Sequence, residues 1–262
     1  MFPSFTFLGQ VYPTFSLLGL LALIIASRVA YVRFKGLGLS YTDMMFGLVF
    51  FGAGLLVGGH ILFALLQVST LWENKGYLFS DPISFFSFAF GGMVFYGGLI
   101  GALAVIPFYA KLMRLNLSEV VAVVIPVFPL AHGIMRIGCF LAGCCYGIEH
   151  EMLGVVFTRS LSAPNGIPLL PVQLYEAAGN FIIFAKTWLY SKKREHPICI
   201  LCLYVLSYAV MRFMLEFLRG DAVRGFIGPM STSQFISILI IVVCIFALIY
   251  IPLRNPDREG IL

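Results

Sequence analysis

Seven apolar stretches, each near the length a helix needs to cross a bilayer, constrain this chain more than any other feature. About 20 apolar residues cover roughly 30 Å of hydrocarbon, and a helix satisfies its own backbone N–H and C=O groups where there is no water. The stretches run from Tyr12 to Val32, Tyr41 to Val68, Met93 to Met113, Val120 to Leu141, Pro171 to Tyr190, Pro197 to Leu218 and Ser231 to Ile251. Of 262 residues, 60% are hydrophobic and only 11% charged, which leaves too little polar surface for a water-soluble globule. The expected fold is all-α and polytopic: one integral membrane domain over residues 1–262. The first stretch lacks the basic segment that opens a cleavable signal peptide, so it is expected to stay as a helix.

The net charge of +5 does not point to nucleic acid, because the basic residues fall in short clusters between apolar stretches. One side of the membrane holds Arg28, Arg33, Lys35, Lys111, Arg114, Lys186, Lys192, Lys193, Arg194, Arg254 and Arg258, eleven of the 17 basic residues. The other side holds Lys75, Arg136, Arg159, Arg212, Arg219 and Arg224. The positive-inside rule then puts the N-terminus outside and the C-terminus in the cytoplasm. The outer segments are Gln67 to Gly92, Ala142 to Leu170 and Arg219 to Met230; residues 142–170, with SAPNGIP, form the candidate lid.

Ionisable groups are costly in hydrocarbon, so each needs a partner or a task. At 1.5 Å of rise per residue, Arg136 and Arg212 both sit on the order of 23 Å above the inner ends of their helices. Tyr96, Glu176 and His60 reach the same outer third, so five helices aim polar groups at one layer. Arg212, Glu216 and Arg219 form a ladder on one helical face. Such a ladder can simply pin a bundle, but it leaves Arg136 without a counter-charge unless Glu176 reaches it. A layer richer in arginine than in carboxylate suits an anion, and at this depth the abundant anion is a phospholipid phosphate. GGMVFYGGLIG, Gly91 to Gly101, places glycines around Tyr96, where small residues permit either close helix packing or close approach of a ligand.

Of the six cysteines, Cys199, Cys202 and Cys244 lie within apolar stretches and pack as small hydrophobes. Cys144 and Cys145 are adjacent in a turn. Metal ligation, a disulfide with Cys139 and nucleophilic action are all open to them; the first needs further ligands, and His132 and His150 are the nearby histidines. The expected reading is packed thiols, with neither a metal site nor a cofactor.

GGMVFYGGLIG, MRIGCFLAGCCYG (Met135 to Gly147), PVQLYE (Pro171 to Glu176) and YAVMRFMLEFLRGD (Tyr208 to Asp221), in this order and spacing, resemble the prolipoprotein diacylglyceryl transferase family. The resemblance covers nearly the whole chain. It implies an enzyme of the bacterial inner membrane that faces the outer leaflet and moves the diacylglyceryl group of phosphatidylglycerol onto the lipobox cysteine thiol of a prolipoprotein signal peptide, releasing glycerol phosphate. It places the family's signature arginine on Arg136 and its second essential arginine on Arg212. Glu216 and Arg219 match the acid and base that follow, and Gln173, Tyr175 and Glu176 the fifth-span motif. The chain departs from the family at Tyr96, where a histidine is usual, and at His60, where an arginine is usual. Cys139 and Cys144 stand where asparagine and glutamate are usual.

The implied chemistry is attack by a thiolate on the glycerol carbon that carries the phosphate. A free thiol is only about 3% ionised at pH 7, so a base or a positive field must raise that fraction. Tyr96 and His60 are the candidate proton-transfer residues, and Arg136 and Arg212 the catalytic stabilisers of the leaving phosphate. Arg219, Glu216, Gly97, Gly98, Gln173, Tyr175 and Glu176 complete the candidate lipid site. Two other readings compete: a related lipid transferase with another acceptor, and a transporter or flippase of anionic lipid. The second predicts a polar path through both leaflets, whereas the inner halves of the stretches are nearly all apolar.

Overall fold

The apolar stretches fold as helices, with short strands and helices between them. The computed structural model describes residues 2–36, 38, 40–160, 162–192, 197–221 and 225–254; Lys193, Arg194, Arg224 and Arg258, counted among the basic residues above, lie outside the described residues. In chain order the elements are β1 (Ser4–Phe7), β2 (Gln10–Pro13), α1 (Thr14–Gly36), α2 (Tyr41–Leu66), α3 (Val68–Glu73), α4 (Tyr77–Ser80) and α5 (Pro82–Ala89). Then come α6 (Phe95–Leu112), α7 (Leu117–Ala142), β3 (Val155–Val156), β4 (Pro168–Leu169), α8 (Val172–Ser191), α9 (Pro197–Glu216), β5 (Phe226–Ile227), β6 (Met230–Ser231) and α10 (Thr232–Arg254).

Among the described residues, five helices are long and apolar enough to cross a membrane: Thr14–Gly36, Tyr41–Leu66, Leu117–Ala142, Ile198–Glu216 and Thr232–Tyr250. The apolar part of α6 is shorter, Tyr96–Leu112. The α8 helix buries Gln173, Glu176, Asn180, Thr187 and Ser191, a polar face that makes it less apolar than its neighbours. The protein is thus a mostly helical membrane protein. The first stretch starts two residues later than expected because Gln10–Pro13 pairs with Ser4–Phe7 as an antiparallel hairpin. Leu8 (φ 49°) and Gly9 (φ 77°) both adopt positive φ, as a two-residue hairpin turn requires.

The chain divides into two compact units: Tyr31–Val120, and Met1–Ala30 together with Val121–Leu262. In the first, α2 starts at a capping box in which Ser40 Oγ accepts from Asp43 N and Ser40 N donates to the Asp43 carboxylate. The α2 and α6 backbones meet along a glycine seam. A Cβ on Gly58 would lie 2.3 Å from Gly97 O, and one on Gly101 would lie 2.1 Å from Gly54 O, so only glycine allows this approach. The Tyr109 hydroxyl ties the far end of α6 to α2 by donating to Asp43 O.

In the second unit, α7, α8 and α9 supply the site. Phe128 on α7 stacks on Tyr204 of α9 with ring centroids 6.3 Å apart, and one turn further along His132 meets Tyr208 at 5.4 Å. After α7 the chain forms a lobe with its own apolar core of Phe157, Ala163 and Leu169, packed against Phe140, Tyr146 and Ile167. The β3–β4 pair closes this lobe through Val155 and Leu169.

Candidate active site

A single carboxylate organises the site. Glu176 lies one turn into α8 and is 1% exposed. Its Oε1 stands 3.0 Å from Arg136 Nη2 and 3.7 Å from His132 Nε2, and accepts from the Tyr208 hydroxyl at 3.4 Å. Its Oε2 is 3.8 Å from Arg212 Nη1. Arg136 and Arg212, from different helices, therefore converge on one acid. Asn180, one turn along α8, donates to the Glu176 backbone carbonyl at 2.8 Å.

The helical spacing expected on α9 gives one rung: Arg212 Nη2 pairs with Glu216 Oε2 at 2.8 Å and donates to Ser233 Oγ on α10 at 3.2 Å. Arg219, three residues further on, grips Asp221 with both arms of its guanidinium, at 2.6 Å through Nε. Burial opposes its charge, but the hydrogen bonds it donates to Asp221 prevail and raise its pKa above the usual arginine value. The sequence led to the expectation of a layer richer in arginine than in carboxylate; the described groups pair one to one. Arg136, Arg212 and Arg219 face Glu176, Glu216 and Asp221, so formal charge balances. What remains is donor capacity: a guanidinium carries five N–H groups, and Arg212 Nη1, buried, has no hydrogen-bond acceptor among the described residues.

His132 and Tyr208 enter the network although sequence reasoning gave them no part in a phosphate site. Arg136 Nε donates to His132 Nε2 at 3.1 Å, which places the imidazole proton on Nδ1. His132 precedes Arg136 by four residues and Tyr208 precedes Arg212 by four, so the i,i+4 rule that linked Arg212 to Glu216 would have found both.

Gln173 is buried and its Nε2 donates to Cys144 O at 2.7 Å, holding the turn after α7 against α8. Tyr175 is exposed. The remaining candidates belong to the other unit. Tyr96 is buried in the first turn of α6, and His60 Nδ1 donates to Gly92 O at 2.8 Å. Gly97 makes its close approach to α2; a Cβ there would lie 2.4 Å from Gly58 O, and one on Gly98 would lie 3.0 Å from Leu55 O.

The cysteines gather where α7 ends. Gly143, at φ 75°, terminates the helix in a Schellman turn: Cys144 N donates to Cys139 O at 3.1 Å and Gly143 N to Phe140 O at 3.2 Å. A Cβ on Gly143 would lie 2.3 Å from Ser160 Oγ, which donates to Gly143 O. Cys145 follows with φ 58° and turns back toward the helix. The three Sγ atoms of Cys139, Cys144 and Cys145 all lie within 4.8 Å of one another, as free thiols. Hydrogen bonds from Cys139 and Cys144 hold the Cys145 thiol well below the ordinary range against the effect of burial, and Arg136 and Arg219 add to them. Cys144 is pushed up to about 11: the hydrogen bond with Cys139 lowers it, but that with Cys145, and burial, outweigh this.

Residues 5–250 match the family model for prolipoprotein diacylglyceryl transferase. A phosphatidylglycerol–prolipoprotein diacylglyceryl transferase from Clostridium tetani is 37% identical over 207 residues, covering 78% of this chain and 79% of the relative. One from Clostridium perfringens is 36% identical over 71% of this chain and 70% of its own length. One from Acinetobacter baumannii is 29% identical over 90% and 87%. With a match that takes in all the helices of the site, this chain belongs to the prolipoprotein diacylglyceryl transferase family.

Proposed function

We propose that the protein transfers the diacylglyceryl group of phosphatidylglycerol to the lipobox cysteine thiol of a prolipoprotein, releasing glycerol phosphate. Relatives that match most of the chain carry the name of this activity. The observation that carries the reading is the pair Arg136 and Arg212 set around the buried Glu176, with Arg212 Nη1 3.8 Å from that carboxylate and hydrogen-bonded to no described acceptor. Donors fixed in a dry site stabilise a leaving phosphate most, because they need no reorganisation as charge develops. Glu176 and Glu216 hold the guanidinium planes, and Arg219, Gln173 and Tyr175 flank the headgroup. Gly97 and Gly98 seat α6 against α2, and Tyr96 and His60 exchange the thiol's proton. All seven long helices cross the cytoplasmic membrane of a bacterium as one domain, with the N-terminus outside, the C-terminus inside and the site in the outer leaflet. Residues 142–170 act as its lid.

The test is direct. Purified protein, phosphatidylglycerol radiolabelled in its diacylglyceryl group and a lipobox peptide should give a labelled thioether and free glycerol phosphate, and a peptide with serine for cysteine should give neither. Arg136→Ala and Arg212→Ala should each lower the rate on the order of 10²–10³-fold, the usual loss when a transition-state donor is removed. Wild-type rates in both variants, or no product from folded protein, would overturn the reading.

A further inference from the structure

The transfer needs a thiolate, and the turn after α7 holds a group of side chains that the phosphate site does not use. Cys139, Cys144 and Cys145 bring three Sγ atoms within 4.8 Å of one another. Thiolates bound to one tetrahedral zinc-like ion at about 2.3 Å stand roughly 3.8 Å apart, so small side-chain rotations complete the set. The backbone is already committed to it: the Schellman turn returns Cys144 to Cys139, and the left-handed Cys145 brings in the third sulfur. Gln173 fixes the loop from α8. Cys139 is buried while Cys144 and Cys145 are half-buried, so the group opens on one side. Three thiolates around a divalent ion leave one negative charge, and Arg136 Nη1, 4.0 Å from Cys139 Sγ, is placed to offset it. Soft sulfur ligands select zinc-class ions, and a site with three protein ligands keeps a fourth position free.

We infer that Cys139, Cys144 and Cys145 hold a thiophilic divalent metal ion of the zinc class, whose open position binds the acceptor's thiol and ionises it for attack. The activation part of this inference rests on the transfer proposed above. The thiol enters the fourth position and its proton passes to a base or to water. The sulfur then forms a bond to the glycerol carbon while the carbon–oxygen bond to phosphate breaks, and the electron pair leaves with glycerol phosphate. No oxidant or reductant is needed. Arg136 joins the two halves of the reaction, with Nη1 toward the thiols and Nη2 toward Glu176. Binding to a cation of this kind deprotonates a thiol at neutral pH, against about 3% ionisation when free, a gain of about 30-fold in reactive species.

The experiment uses the full-length protein in lipid nanodiscs, stripped of metal under reducing conditions and titrated with Cd2+. A thiolate-to-cadmium charge-transfer band should saturate at one ion per chain and persist when Cys199, Cys202 and Cys244 are all serine. Cys139→Ser or Cys145→Ser should remove it. X-ray absorption of the Zn2+ form should show three sulfur neighbours, rising to four when a cysteine-containing lipobox peptide is added but not its serine counterpart. Thioether formation should fall about 30-fold on stripping and return with Zn2+. Three titratable thiols with no cadmium band would overturn the site, and undiminished transfer by metal-free protein would overturn the activation while leaving the transfer reading intact. A normal three-thiolate spectrum with no thioether, loaded or stripped, would overturn the transfer reading and leave the metal site standing.

Discussion

Glu176 sits where two guanidinium groups and a tyrosine hydroxyl meet, and at 1% exposure it has no solvent to fall back on. Removing one partner from a buried ionic cluster strands the others, so Glu176→Ala should destabilise the protein by about 3–5 kcal/mol, read from unfolding in detergent. Arg212→Lys keeps the charge but loses the planar fork, and the transfer rate should drop even where the fold survives. The cysteines give a pH-dependent prediction. A thiol held below its ordinary pKa is ionised, and open to alkylation, at a pH where a raised one is not. Metal-free protein alkylated at pH 6 should therefore carry the label on Cys145 and not on Cys144, whose thiolate appears only near pH 11. The arginines and Glu176 were legible in the sequence because charge inside an apolar stretch announces itself. That Glu176 serves both arginines was not, since helix rise gives height but not rotation, and three helices must turn the same way for one carboxylate to be shared.

At the scale of elements, the five helices long and apolar enough to cross a membrane were legible because hydrocarbon imposes length and apolarity on whatever crosses it. The short elements were not. The Ser4–Pro13 hairpin depends on two positive-φ residues at Leu8 and Gly9, and α3 to α5 are too brief to show a periodic pattern. The glycines around Tyr96 could be read two ways; the structure puts Gly97 and Gly101 on the seam with α2. Gly101→Val would drive its side chain into Gly54 O and should cost about 1–3 kcal/mol, with α2 and α6 no longer cross-linking efficiently through engineered cysteines. Gly143→Ala meets both a left-handed backbone and Ser160. It should cost at least about 1–2 kcal/mol in thermal unfolding and weaken cadmium binding, because the turn that returns Cys144 to Cys139 loosens.

For the whole molecule, the proposal requires the topology that the positive-inside rule expects from the basic residues. A reporter that is active only in the cytoplasm should work at the C-terminus and fail at the N-terminus; the reverse result would move the site to the inner leaflet. Chain order adds a demand of another kind. The unit that carries the site is discontinuous, with about 90 residues, Tyr31–Val120, inserted between most of α1 and most of α7. Leu18 and Gly19 of α1 have their neighbours on α7, at Gly138 and Met135. A ribosome adding 5–20 residues each second makes the leading helix wait roughly 5–20 s for its counterpart. During that interval α1 stands in the bilayer with only lipid, or an insertion chaperone, against the surface that will later receive α7.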